Sequence, residues 1–246
     1  MNNSIQFISL GPGEADLITV KGLKALQNAD VIYCPCTIKV IDDNNSVTAS
    51  RGGDILSDLG ISKEKIIFFN LSMSKQRDEA NAIYDKVYLQ SKEMLFAGKQ
   101  VVIVAEGDAG FYSSIHYIQD KFTKNDISIK RIAGIPAFIA AGAFAGIHIV
   151  KQEEPLLVFP GIITLDEIKE AVFSGKTVVV MKLSQCENAI KEFIKQTDQI
   201  TFHYFENIGT PNQLYISNTE EIYNRKFPYF SLIIIKLLLV QSKLLH

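Results

Sequence analysis

Short apolar runs rich in β-branched residues alternate with amphipathic segments through the first part of the chain. Runs of this kind between turn residues are typical of strands, and strands that alternate with helices favour a parallel sheet. The clearest helical segment is 19–29, where Thr19 stands in N-cap position before apolar residues at helical spacing. The pattern predicts an α/β domain with a mostly parallel sheet, whose strands span residues 6–10, 31–34, 65–69, 101–105 and 127–132.

Two further helices are predicted in this part, the longest over 75–97 and a small-residue, apolar one over 137–146. Residues 147–155 mix charge with proline, and a second series of strands and helices follows them. We therefore expect an N-terminal α/β domain (1–146), a linker (147–155) and a C-terminal α/β domain (156–246). The second series predicts strands at 156–159, 177–182, 201–206, 213–217 and 229–239, with helices at 165–173 and 187–195.

The composition is that of an ordinary globular protein, with 47% apolar residues, 21% charged residues and a net charge of −2. Three cysteines without framework spacing, and an N-terminus without a signal sequence, favour a reducing cytoplasm. The apolar run 232–240 is too short for a membrane span, so we expect a buried last strand and an apolar tail. With no basic excess either, the chain predicts a cytoplasmic protein without nucleic-acid or membrane partners.

An acidic Gly-Pro-Gly turn, Gly11-Pro12-Gly13-Glu14, follows the first predicted strand. Glycine lets a ligand approach the backbone closely and proline stiffens the turn, as at the carboxyl edge of a sheet that binds a small molecule. Asp16 breaks the dinucleotide pattern G-x-G-x-x-G, and the second strand ends in Cys34-Pro35-Cys36 instead of a ribose-binding carboxylate. The turn alone leaves two interpretations open, a ligand site and a tight turn without a ligand.

Two further turns follow predicted strands in the same way. Glu106-Gly107-Asp108 comes directly after strand 101–105, and Phe111-Tyr112-Ser113-Ser114 then opens a helix. Ala133-Gly134-Ile135-Pro136-Ala137 follows strand 127–132. Because parallel strands carry their carboxyl ends at one edge of the sheet, we expect the three turns to face one crevice. The alternative for Asp108 is that it only caps the following helix.

Motifs for metal binding or nucleophilic catalysis are not indicated. Cys34 and Cys36 have neither a second cysteine pair nor an ordered histidine pair beside them, so buried thiols are expected. Neither a Gly-x-Ser-x-Gly elbow nor a His-Glu-x-x-His helix occurs. The histidines are dispersed along the chain, at His116, His148, His203 and His246.

Taken together, the three turns resemble those of the tetrapyrrole (corrin/porphyrin) methylases, and the resemblance covers nearly the whole chain. It rests on the order and spacing of short motifs, each of them weak alone. They are Gly11-Pro12-Gly13-Glu14 with Leu17 and Thr19, Ala29-Asp30-Val31 leading to Pro35, Glu106-Gly107-Asp108, Gly134-Ile135-Pro136-Ala137, Met181 after a valine-rich strand, and Glu206-Asn207 with Gly209-Thr210. Two positions depart from the family's pattern, which often has glycine where this chain has Ser9 and proline where it has Ala109.

The resemblance implies the class III methyltransferase fold, with a mixed sheet in the C-terminal domain and a cofactor cleft between the two domains. It also implies a homodimer, S-adenosylmethionine as methyl donor, a tetrapyrrole substrate and methyl transfer that requires no metal. Met181 would pack on the adenine, or it only fills the core. Carried over position by position, the cofactor-binding residues are Pro12, Gly107, Asp108, Phe111, Pro136, Ala137, Met181 and Gly209.

Within the family, the segments 111–118 and 229–234 are most similar to the C(20)-methyltransferases of precorrin-2 or cobalt-factor II in cobalamin (vitamin B12) biosynthesis. An electron-rich meso carbon of the ring would attack the sulfonium methyl directly, so the rate would come mainly from alignment. Candidates to remove the proton afterwards are Asp108, Glu106, Tyr112 and His116. Candidates to bind the substrate's carboxylates are Lys39, Arg51, Arg77 and Lys182, with solvated surface charge as the alternative for each.

Three other functions remain to be distinguished. Methylation at another position of a precorrin or of uroporphyrinogen III would differ only in the product. An NAD(P)-dependent oxidoreductase is disfavoured by Asp16 and by the missing ribose carboxylate. A non-catalytic tetrapyrrole-binding module would bind the ring without affinity for S-adenosylmethionine.

Overall fold

The computed structural model describes residues 4–42, 45–71, 77–196 and 199–238. The chain divides into two compact units on either side of the bond between Pro136 and Ala137. This division lies before the predicted linker at 147–155. The domain bounds expected from the sequence, 1–146 and 156–246 on either side of that linker, stay a prediction.

The first unit is built on a parallel sheet in the strand order β4-β2-β5-β1-β6. The central strand is apolar along its whole length and every residue in it is buried, as expected for a strand with helices on both faces. All the strands predicted for this part of the chain are present, which confirms the parallel sheet. The strands are β1 (Ile5–Ser9), β2 (Val31–Asp42), β3 (Asn45–Ala49), β4 (Ile66–Asn70), β5 (Val101–Ala105) and β6 (Ile129–Ile132).

Strand β2 continues well past its predicted end at Cys34. Its first part pairs with β5 and β4, and its second part, from Thr37 onwards, pairs antiparallel with β3. Neither the extension nor β3 was predicted, because Pro35 within the run argues against a continuous strand. The hairpin depends on pairing between two segments of mixed polar and apolar residues, a pattern that does not by itself identify the partner strand.

The helices of the first unit begin at side-chain caps where the sequence offers them. The amide of Gly22 donates to Thr19 Oγ1 at 3.1 Å, which confirms the predicted N-cap. The amide of Gly53 donates to Ser50 Oγ at 2.9 Å and starts a helix that was not predicted. The helices are α1 (Val20–Asn28), α2 (Arg51–Asp58), α3 (Arg77–Phe96) and α4 (His116–Lys124), with α3 the longest of them, as expected.

Successive residues of the central strands belong to cores on opposite faces of the sheet. Phe7 of β1 packs into a cluster with Ile118 and Phe122 of α4, whereas Ile8 packs with Leu26 of α1 and Ile55 of α2. This alternation is the reason that the strands are apolar at every position instead of every second one.

The second unit contains a mixed sheet in the order β10-β9-β11-β8-β7, in which only β7 and β8 run parallel. A capping box, Thr164 with Glu167, begins helix α6 where the sequence predicts it. An α/β fold with one parallel and one mixed sheet is thereby confirmed. The elements are α5 (Ala137–Phe144), β7 (Leu156–Phe159), α6 (Leu165–Phe173), β8 (Thr177–Met181), α7 (Glu187–Lys195), β9 (Ile200–Glu206), β10 (Leu214–Ile216), α8 (Thr219–Asn224) and β11 (Ser231–Leu237).

The segment predicted as a linker is attached to the second unit. Lys236 of β11 forms an ion pair with Glu154 Oε2 at 3.0 Å and donates a hydrogen bond to the carbonyl of His148 at 3.2 Å. Both ends of 147–155 are therefore held by the last strand of this unit.

The last predicted strand is β11, whose first five residues are buried. The apolar tail expected after it, residues 239–246, lies outside the described residues. Among the helices that are described, none combines the length and the apolar character needed to cross a membrane.

Candidate functional site

The first turn (Gly11–Glu14) and the second turn (Glu106–Gly110) are joined through their backbones. The amide of Gly11 donates to the carbonyl of Gly107 at 3.1 Å, and the amide of Gly107 donates to the carbonyl of Gly11 at 2.6 Å. This pairing follows from the sheet order, because β5 and β1 are neighbours and both turns leave their carboxyl ends. Pro12, in the centre of the first turn, is buried.

Asp108 links the second turn to the third turn (Ala133–Ala137). Its Oδ1 accepts a hydrogen bond from the amide of Gly110 at 2.7 Å, and its Oδ2 accepts one from the amide of Gly134 at 2.7 Å. The residue before helix α4 is Ile115, and no side chain caps that helix. Asp108 is therefore not a helix cap, and its carboxylate holds two turns in register.

Ser9, the last residue of β1, is a fully buried polar residue at the point where all three turns meet. Its hydroxyl donates to the carbonyl of Ile132 at 2.7 Å and accepts from the amide of Ala109 at 2.8 Å. Asp108 Oδ2 lies 3.4 Å from the same hydroxyl. The sequence analysis noted Ser9 only as a departure from a family pattern. A serine that ends a strand of apolar residues is itself an indication of a polar contact at that strand end.

Two glycines have opposite roles in this arrangement. A Cβ on Gly134 would lie 2.4 Å from Ser9 Cβ and 2.8 Å from the carbonyl oxygen of Gly107, so only glycine allows the third turn to pack here. Gly107 has a φ of +65°, and a Cβ on it would meet nothing within 4 Å. Because Gly107 has no side chain, its backbone groups border open space directly. This arrangement suits a ligand that is bound by main-chain groups.

Glu106 faces the other side of the second turn, toward the start of helix α2. Burial raises the pKa of Glu106, the positive charge of Arg51 opposes the rise, and the negative charge of Asp54 adds to it. Burial lowers the pKa of Arg51, which the charges of Glu106 and Asp54 counteract. Glu106 and Arg51 therefore share a partly buried, charged environment, and Arg51 is not a solvated surface residue.

Tyr112 has a strained backbone and an exposed ring. Its φ is +48°, a left-handed conformation that non-glycine residues adopt at a cost of about 1–3 kcal/mol, often at functional sites. Its side chain is 45% exposed and contacts the ring of Phe111 edge-to-face, with 4.6 Å between ring centroids. His116, at the start of α4, is exposed, and its Nδ1 lies 2.9 Å from the carbonyl of Ser113.

The cysteines are buried, as the sequence predicts. Burial raises the pKa of the Cys34 thiol to about 12 and that of the Cys186 thiol to about 11, so both are protonated at neutral pH. Over the described ranges, no three His, Cys, Asp or Glu side chains are grouped closely enough to hold a metal ion.

Several predicted cofactor residues belong to the second unit. Ala137 begins α5. Met181 ends β8 opposite Leu232 of β11, and a Cβ on Gly161 would lie only 2.7 Å from the Met181 carbonyl oxygen. Gly209 has a φ of +78° and lies in the turn after β9.

Lys182 is one of the candidates for binding substrate carboxylates. It comes directly after Met181 and has a left-handed backbone conformation, with a φ of +55°. Burial lowers the pKa of Lys182, and its Nζ lies 5.8 Å from the centroid of the Tyr229 ring. Lys182 is thus partly buried as well. The side chains of Lys39 and Arg77 lie outside the described residues.

Glu206, part of a motif in the family resemblance, forms a buried network within the second unit. Arg225 Nε donates to Glu206 Oε1 at 2.5 Å and Arg225 Nη2 donates to Oε2 at 3.0 Å, while the hydroxyl of Tyr204 also donates to Oε1. Burial alone would raise the pKa of Glu206, but the hydrogen bonds from Arg225 and Tyr204 bring it below its usual value. Glu206 therefore has a structural partner that the sequence pattern did not indicate.

Comparison with known proteins identifies the family. A family model described as Tetrapyrrole (Corrin/Porphyrin) Methylases matches residues 4–222. A precorrin-2 C(20)-methyltransferase from Sinorhizobium sp is 23% identical over 228 residues, which cover 93% of this chain and 93% of that protein. A cobalt-precorrin-2 C(20)-methyltransferase from Salmonella typhimurium is 25% identical over 237 residues, covering 96% of this chain and 97% of that protein.

Solved structures share the fold. A cobalt precorrin-4 methyltransferase superimposes with a TM-score of 0.69 at 17% identity, over 96% of this chain and 95% of the other. A uroporphyrin-III C-methyl transferase from Thermus thermophilus, complexed with S-adenyl homocysteine, gives a TM-score of 0.64 at 13% identity, over 95% and 92% of the two chains. Because the family model matches most of the chain, the chain belongs to the tetrapyrrole (corrin/porphyrin) methylases.

Proposed function

We propose that this protein transfers a methyl group from S-adenosylmethionine to the C(20) meso carbon of precorrin-2 or cobalt-factor II in cobalamin biosynthesis. Family membership makes it a methyltransferase of tetrapyrroles. The position on the ring is supported by the two full-length relatives, which are both named as C(20)-methyltransferases. The observation that carries the proposed donor site is the set of three linked turns at the carboxyl edge of the first sheet.

The residues present suit S-adenosylmethionine. Gly107 leaves bare backbone beside open space, and the turns around it are fixed by backbone hydrogen bonds. A solved relative with the same fold is complexed with S-adenyl homocysteine, the demethylated form of this donor. In our proposal Pro12, Gly107, Asp108, Phe111 and Pro136 of the first unit, and Ala137, Met181 and Gly209 of the second, hold the donor.

When bound, S-adenosylmethionine supplies an electrophilic methyl group on a sulfonium centre. Carbon C(20) of the ring forms the new bond to this methyl, the electrons of the broken carbon–sulfur bond stay on sulfur, and C(20) then loses its proton. The protein contributes alignment, since holding the reacting atoms about 3–3.5 Å apart in the right orientation can remove roughly 7–11 kcal/mol of the barrier. The rigid second turn, fixed by Asp108 and Ser9, serves this purpose.

Glu106 is the candidate that best suits removal of the proton. A carboxyl whose pKa is raised by burial is a stronger base at neutral pH than an exposed one. Asp108 suits this role less well, because each of its oxygens already accepts a backbone hydrogen bond. Tyr112 and His116, both exposed, remain alternative candidates.

The test is incubation of the protein with labelled S-adenosylmethionine and each of the two substrates, followed by mass measurement and NMR assignment of the product. We expect a single labelled methyl group at C(20). Label at another ring position would support a different member of the family, such as the C(11) type. Absence of transfer to either substrate would overturn the proposal, and binding of the ring without S-adenosylmethionine affinity would indicate a non-catalytic module.

The homodimer that the resemblance implies remains a prediction, and sedimentation equilibrium would test it. The expected mass is twice the 27.4 kDa of one chain.

A further inference from the structure

The two positions that depart from the family's pattern are in direct contact. The amide of Ala109 donates a hydrogen bond to Ser9 Oγ at 2.8 Å, and the contact is buried. A glycine at position 9 would have no hydroxyl to accept this bond, and a proline at position 109 would have no amide hydrogen to donate it. The bond therefore requires an acceptor side chain at position 9 and a residue other than proline at position 109.

We propose that Ser9 and Ala109 are a coupled pair that positions the second turn for cofactor binding. Ser9 supplies the acceptor and the backbone of residue 109 supplies the donor, so either glycine at position 9 or proline at position 109 removes the bond. The functional part of this inference rests on the proposed use of S-adenosylmethionine, whereas the coupling between the two residues does not.

The second turn contains a hydrogen-bonded β-turn. The amide of Phe111 donates to the carbonyl of Asp108 at 3.1 Å, which makes Asp108–Phe111 a β-turn with Ala109 in its second position. Proline is favoured at that position of type I and type II turns. The obstacle to proline is Ser9, because a ring carbon would replace the amide hydrogen and overlap with a hydroxyl only 2.8 Å from the nitrogen.

The pair also connects the second turn to β6 and the third turn. Ser9 Oγ donates to the Ile132 carbonyl at 2.7 Å, and Asp108 Oδ2, which holds the amide of Gly134, is 3.4 Å from the same oxygen. Ser9 is fully buried, so water cannot replace a lost partner. The Ala109–Ser9 bond thus sets where the backbone of Gly107 and Asp108 lies relative to the third turn.

The experiment is a double-variant cycle in the full chain with Ser9→Gly, Ala109→Pro and the combination of both. Two quantities are measured: unfolding by urea without ligand, and the Kd for S-adenosylhomocysteine by calorimetry at a temperature where each variant is folded. Ser9→Gly leaves the Ala109 amide unpaired, and we expect a Kd about tenfold higher. Ala109→Pro alone should raise the Kd by about a hundredfold and lower the urea midpoint.

The combined variant distinguishes coupling from two independent effects. With glycine at position 9 the hydroxyl that overlaps the proline ring is gone, so we expect a Kd at least about tenfold lower than for Ala109→Pro alone, and a urea midpoint above that of Ala109→Pro. Turnover adds a readout that a purely structural role would not move: the KM for S-adenosylmethionine should follow the Kd, while kcat changes less. Ser217→Gly, an exposed serine in the second unit, is the matched control and should not rescue Ala109→Pro.

Additive effects of the two substitutions, or a combined variant that is unfolded, would overturn the inference. If the wild-type protein does not bind S-adenosylhomocysteine, the proposed function fails instead. The unfolding measurements then still decide whether the two residues are coupled.

Discussion

Asp108 and Glu106 are carboxylates of the same turn, yet the structure gives them different environments. Both oxygens of Asp108 accept backbone hydrogen bonds that hold the second and third turns together. Glu106 lies beside Arg51, and burial raises its pKa. The sequence predicts that both carboxylates lie at a strand end, but their partners come from α2 and β6, which are distant in the chain. Side-chain roles at this site therefore depend on which elements the fold places beside the turn.

Replacing Asp108 by alanine should weaken cofactor binding. The change leaves the partly buried amide of Gly134 without its acceptor, which costs about 1–3 kcal/mol, whereas the exposed amide of Gly110 can bond to water instead. We expect the Kd for S-adenosylhomocysteine to rise at least about tenfold, measured by calorimetry on folded protein.

Glu106→Gln serves as the matched control, because it changes a carboxylate of the same turn that we propose as a base. It should leave the Kd within about threefold and lower kcat by about a hundredfold or more. In the wild type, kcat should fall as the pH drops through the raised pKa of Glu106, and this acidic limb should disappear in the variant. An unchanged Kd in Asp108→Ala would remove Asp108 from the site.

At the level of elements, local signals predicted helices better than strand pairing. Thr19 and the Thr164–Glu167 capping box begin α1 and α6 at their predicted positions. Helices α2 and α8 were not predicted, although Ser50 and Asn218 cap their first turns locally. The β2–β3 hairpin was not predicted either, since its pairing exists only between the folded segments. The link between β9 and α8 is of the same kind, because Glu206 and Arg225 are brought together by the fold of the second unit.

Replacing Glu206 by glutamine should destabilise the protein at neutral pH. The variant keeps the size of the side chain but removes the charge that faces Arg225, whose side chain is 36% exposed. Because of this exposure we expect a loss of about 1–2 kcal/mol in the free energy of unfolding, less than for a fully buried pair. Urea unfolding at pH 7 measures the effect.

The same pair predicts a pH dependence. The pKa of Glu206 is lower in the folded protein than in the unfolded chain, where glutamate titrates near about 4.3. Its contribution to stability is therefore present above that pH and is lost as the pH falls through the folded-state pKa. The difference between wild type and Glu206→Gln should shrink as the pH falls below about 4.3, through the lowered pKa of Glu206. Glu220→Gln, an exposed residue of α8, is the control, and an equal loss in both variants would contradict the prediction.

For the whole molecule, the proposed cofactor residues are distributed over both units. Gly107, Asp108 and Phe111 belong to the first unit, whereas Met181 and Gly209 belong to the second. The family resemblance implies that one donor molecule is held by residues of both. Binding measurements on variants of each unit test this implication.

Met181→Ala should weaken S-adenosylhomocysteine binding, because the resemblance has this thioether packing on the adenine. We expect a Kd about tenfold higher, in proportion to the loss of a large apolar contact. Met94→Ala is the matched control: Met94 is a partly buried methionine of α3 in the first unit's core, so its loss should lower stability without changing the Kd. Equal Kd values for Met181→Ala and wild type would show that Met181 only fills the core.

The amino-acid sequence by itself determined the strands of the parallel sheet, most of the helices and the family. These properties depend on local patterns, namely apolar runs, cap residues and short motifs in a fixed order, which can be recognised without knowing the partners. The tertiary structure decided what the turns do. Ser9 contacts Ile132 and Ala109, and Asp108 contacts Gly134, only because the sheet places β1 between β5 and β6. Hydrogen bonds between residues so far apart in the chain leave no local pattern in the sequence. The sequence could therefore identify the turns, but not the hydrogen bonds that hold the turns together.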